Sequence, residues 1–157
     1  MSCGLALALT LAVTPAAEAP SPAPAAAVAA PPSVAHEPLY ADIVSRAQRL
    51  EQRVVAWRTA DLKGSRQPLP LPGFEAFKAE AAQLAELDMQ GHRDLAARNT
   101  DGDLKCILRG ISEDLPGKIA AVEGAATGAA QDQALDELRY LLNDNAGVIL
   151  APPKPPV

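Results

Sequence analysis

The sequence predicts an all-α protein, a small antiparallel bundle of about four helices. Three observations carry that prediction. Hydrophobic residues make up 48% of the chain but aromatics only 3%; much of the apolar content is alanine, which favours helices and is a poor strand former. Four stretches place their apolar residues on one face when the chain is wound at about 100° per residue. Neither strand-like alternation nor a repeat of fixed period is visible in the 157 residues, so a sheet or a solenoid is unsupported.

The first predicted helix covers 39–62. Leu39, Ile43, Ala47, Leu50, Val54 and Trp57 fall on one face, with Glu51, Arg53 and Arg58 beside or opposite it. Pro38 stands at the start, where its missing N–H costs nothing, and Lys63-Gly64 supplies a cation and a left-handed residue to stop it. Residues 65–73 contain PLPLPG. Alternating prolines impose an extended crossing strap, from which Leu69 and Leu71 are placed to pack on the bundle.

The second helix covers 74–97, with Phe74, Phe77, Ala81, Leu84, Gly91 and Leu95 on one face. Asp88 falls near the centre of that face, and His92, one turn on, lies on its flank. The third helix opens after 99–103 with Thr100 or Asp101 as its cap. Its stripe of Leu104, Ile107, Leu108, Ile111, Leu115, Ile119 and Val122 keeps phase across Pro116, which predicts a helix kinked or broken at Pro116. GAATG at 124–128 is a turn. The fourth helix covers 129–145, with Leu135, Leu138, Leu142 and Ile149 aligned and Asn143, Asn145 and Gly147 as stop signals.

Domain organisation follows from composition. Residues 1–19 read as a signal peptide: LALALTLAV at 5–13 is too short to span a bilayer, and Ala17-Glu18-Ala19 is a cleavage-type triplet. Residues 20–38 form a Pro/Ala-rich linker with little to bury. The bundle occupies 39–150, and 151–157 (APPKPPV) form a proline-rich tail. The expected location is periplasmic or secreted, with no membrane span in the mature form.

Charge and motifs narrow the function classes. A net charge of −5 argues against nucleic acid, which is bound through clustered Lys and Arg. No CxxC, CxxCH or Cys/His zinc spacing occurs, nor GxSxG, a P-loop or HExxH. Residues 99–103 fail as a calcium loop, because aligning on Gly102 puts Ala97 and Leu108 where carboxylates are needed. Met89 and His92 would share one side of any haem, which excludes them as opposed axial ligands. No cofactor is expected.

Two features remain. Asp88 and His92 at i, i+4 form a candidate partial metal site or proton relay, with Asp42, Glu51, Asp136 and Asn145 as candidate companions. Cys106 lies about 170° from the centre of its helix's apolar stripe and is a candidate for an intermolecular disulfide, hence a homodimer. The resulting expectation is an exported, non-enzymatic interaction, scaffold or inhibitory module of the bacterial envelope acting on a protein partner. The alternative is a bundle that binds a metal or small ligand through Asp88 and His92.

Overall fold

Four helices follow in chain order in the computed structural model, which describes residues 33–59, 64–99 and 102–151. They are α1 (Pro38–Trp57), α2 (Phe74–Arg98), α3 (Gly102–Glu123) and α4 (Gly128–Leu150). Neighbours pack in the order α1–α2–α3–α4 and back to α1, leaving α1/α3 and α2/α4 as diagonals. Cross-helix pairs fix the directions. Arg46 reaches Gln83 and Arg53 reaches Glu80, so α1 and α2 run antiparallel. Lys78 meets Glu123 near one end of the α2–α3 pair and His92 meets Lys105 near the other. Arg58 and Glu51 face Asp132 and Arg139 between α1 and α4. This is an up-down-up-down four-helix bundle.

The predicted stripes form the core. Ile43, Ala47, Leu50, Val54, Phe77, Ala81, Leu84, Leu95, Leu104, Leu108, Leu115, Leu135, Leu138, Leu142 and Ile149 are all buried in one cluster. α1 starts at Pro38 after an extended Glu37. It ends at Trp57, shorter than the spacing predicts; part of the predicted remainder, 60–62, lies outside the described residues. α2 begins after Gly73, which sits at φ +76°, and ends on Asn99 at φ +51°. Both are residue types that tolerate the left-handed region. The Thr100 and Asp101 caps expected for α3 lie outside the described residues. α3 continues without a break through Pro116, because Leu115, Ile119 and Val122 hold both sides of the proline on the core.

α4 differs most from expectation. It starts with a true cap, Thr127 Oγ1 accepting from the Ala130 N–H at 3.1 Å, and it does not stop at Asn145. Asn145, Ala146 and Ile149 are buried, and that burial carries the helix past Asn143, Asn145 and Gly147 to Leu150. Tertiary packing overrides the local stop preference.

Two polar devices hold the connections. The Gln131 side chain pairs with both backbone groups of Leu69, accepting from its N–H at 2.8 Å and donating to its carbonyl at 2.9 Å. Trp57 Nε1 donates to the Pro72 carbonyl at 3.2 Å and its ring packs on Phe77 and Phe74. Leu69 and Leu71 of the strap are thereby laid against the core. At the other entrance, the described end of the Pro/Ala-rich segment docks as well. Val34 and Ala35 pack on the core, and Arg98 holds Glu37 through two bonds of 2.9 and 2.7 Å.

Candidate functional site

The phase of α2 aims Asp88 at the bundle axis, and the structure buries it completely. Its partner comes from the opposite helix. Asn145 Nδ2 donates to Asp88 Oδ2 at 2.8 Å, and Asn145 is also fully buried. The second oxygens of both groups, Asp88 Oδ1 and Asn145 Oδ1, are buried without a hydrogen-bond partner. Unpaired buried acceptors are rare because each forfeits its hydration. Burial pushes the Asp88 carboxyl up to about 8, and the Asn145 bond offsets only part of that rise.

One turn on, Gly91 lets the helices close. A Cβ at this position would lie 3.0 Å from Leu108 Cδ1, 3.3 Å from Tyr40 Cε1 and 3.5 Å from Ile43 Cδ1. Tyr40 donates its one hydroxyl proton to Asp94 Oδ2 at 2.7 Å, with the Gly91 carbonyl oxygen 3.3 Å from the same hydroxyl. Burial first, and then the Asp94 bond, raises the Tyr40 hydroxyl well above the ordinary phenol range. Arg98 bridges Asp94 and Glu37; its bond to Glu37 holds that carboxyl below its usual range. This chain of groups ties the start of α1 to the last turns of α2.

Asp88 and His92 do not share a partner. His92 turns to α3, where its Nδ1 meets the Lys105 carbonyl at 2.7 Å; since a carbonyl only accepts, Nδ1 carries the proton in that contact. Of the candidate companions, Asn145 alone reaches Asp88. Asp42 takes Arg46, Asp136 takes Arg58 and Arg139, and Glu51 faces Arg139. Among the described residues, no group of three or more His, Cys, Asp or Glu is placed to hold a metal ion. Cys106 is exposed with a free thiol, one of the two placements its helical phase allows, the other being burial against a second face.

The sequence reading passes over Tyr40, which is fully buried. Its spacing to Ala47 and Val54, seven and fourteen residues on, is the helical signal that finds it. The surface holds one unusual aromatic. Tyr40, Trp57 and Phe77 are buried and Phe74 is half-buried, whereas Tyr140 is 66% exposed. It lines a shallow groove between α3 and α4 with Lys118, Asp136, Glu137, Arg139 and Leu141. Among the described residues, no helix is long and apolar enough to cross a membrane. Comparisons with protein-family models, curated proteins and solved structures gave no match.

Proposed function

We propose that the chain is an exported, non-enzymatic helical-bundle protein that acts as an interaction, scaffold or inhibitory module in the bacterial envelope. The observation that carries this reading is Tyr140. It is the one aromatic of five that the bundle leaves mostly in water, and it stands beside Arg139 and the half-buried Leu141. Tyrosine and arginine are the residue types that dominate binding hot spots. The inward-facing polar side chains give the complementary support, because Asp88, Asn145, Gln131 and Asp132 are engaged with other parts of the fold. The leader-like 5–13 segment and the proline-rich linker support export.

The test is site-specific photo-crosslinking in the native host. A photoreactive residue replaces Asn143, an exposed neighbour of Tyr140 on α4, in the full chain, with Gln48, an exposed residue of α1, as the control position. The expected result is one discrete protein adduct at position 143 and none at 48, in the envelope fraction. A chain retained in the cytoplasm removes the export reading, and an envelope chain with no adduct at 143 removes the interaction surface.

A further inference from the structure

The Asp88–Asn145 contact is half of a pattern. A carboxyl and a carboxamide are both planar forks, and one arm of each is already joined through Nδ2–H to Oδ2. The remaining arms are the two oxygens that lack a partner. With Asp88 ionised, these are two acceptors in a dry core and cannot bond to each other. A proton on Asp88 Oδ1 converts one of them into a donor and satisfies both. None of the main surface grooves is lined by either residue.

We propose that the folded chain holds Asp88 as a neutral acid whose Oδ1–H donates to Asn145 Oδ1, so that acid and amide close a reciprocal two-bond ring across the bundle diagonal. Assembly of the core then takes up one proton from solvent, and releasing it opens the ring.

Several of the charged and titratable groups around this pair have partners of their own. On α1, Tyr40 gives its hydroxyl proton to Asp94, and Asp42 pairs with Arg46. On α2, His92 is spent on the Lys105 carbonyl and Asp94 on Tyr40 and Arg98. On α3 stand Lys105, Cys106 and Arg109, the last ion-paired with Glu113, and on α4 Asp144 lies beside Asn145. None of them shifts the Asp88 carboxyl, on which burial and the Asn145 bond act alone.

The experiment follows the Asp88 side-chain carboxyl carbon by NMR in the full chain labelled with ¹³C, assigned through its own backbone, across the pH range in which the chain stays folded. The expected result is a carboxyl that stays protonated at neutral pH and binds its proton about ten-thousandfold more tightly than a free aspartate of pKa ~3.9. Asp88→Asn supplies a permanent donor in place of the acid proton, so it is expected to fold and to lose the dependence of stability on pH that Asp88 gives the parent. Titration of the Asp88 carbon in the ordinary carboxylate range overturns the proposal, as does an Asp88→Asn chain with the parent's pH profile. If Asp88→Asn does not fold, the carbon titration of the parent decides alone.

Discussion

Asn145 and Asp88 meet at 2.8 Å although their helices, α4 and α2, are not backbone neighbours in the bundle. The bond spans the diagonal, so it joins two helices whose backbones adjoin only α1 and α3. A polar pair at such a position specifies register at a cost in desolvation. Leu-rich faces tolerate sliding or rotation, whereas a buried carboxyl has one acceptable partner.

The pair makes stability depend on pH with a definite sign. The folded Asp88 carboxyl is raised to about 8 from 3.8, so its contribution is fully present below the unfolded value and is lost as pH rises through the folded one. Between those limits stability is expected to fall with rising pH, by at most about 1.4 kcal/mol per unit. Glu37 acts in the opposite sense: Arg98 lowers it, so its share is lost as pH falls below the ordinary carboxylate range. Urea midpoints at a series of pH values check the sign.

Two glycines separate close packing from mere helix propensity. Gly91→Ala places a methyl against Leu108 and Tyr40, both fully buried. Overpacking of that kind costs about 1–3 kcal/mol, which outweighs a propensity gain of about 1 kcal/mol; net destabilisation is expected. Gly147→Ala meets nothing within 4 Å on a continuing helix and is expected to stabilise by up to about 1 kcal/mol. Denaturant unfolding of both variants reads the difference directly.

Gln131 holds the proline strap through both backbone groups of Leu69. Gln131→Ala removes both bonds, with an expected loss of about 1–2 kcal/mol. Hydrogen exchange at the Leu69 amide is the specific check, because protection there is expected to drop while that of core amides on α2 changes only with global stability.

Tyr140→Ala is expected to leave stability within about 0.5 kcal/mol of the parent, as for most exposed substitutions, while abolishing recognition of the partner. Thermal unfolding together with in-cell crosslinking from a neighbouring exposed position, Asn143, checks both halves.

The helices were legible in the sequence because each stripe is local: Ile43 to Leu50, or Leu104 to Ile111, needs only the period of one helix. The inward aim of Asp88 and the outward aim of Cys106 came from the same arithmetic. Asn145 stood among four candidate companions of Asp88, but the sequence could not single it out, since no local rule joins residues 57 apart, and asparagine near a helix end reads as a terminator until something buries it. His92 illustrates the same limit. Its i, i+4 spacing from Asp88 allows contact along α2, but the Lys105 carbonyl on α3 takes its Nδ1. Gln131 carries no pattern at all, because its two bonds are to the main chain of a strap some sixty residues earlier.

The most direct test of the account is a double-mutant cycle on Asp88→Ala and Asn145→Ala, with unfolding free energies measured for the parent, both single variants and the double variant. The predicted result is strong non-additivity, a coupling of about 1–3 kcal/mol, because each single variant strands a buried polar group that the double variant removes. Additive losses, within about 0.5 kcal/mol, would contradict the claim that this pair closes the core.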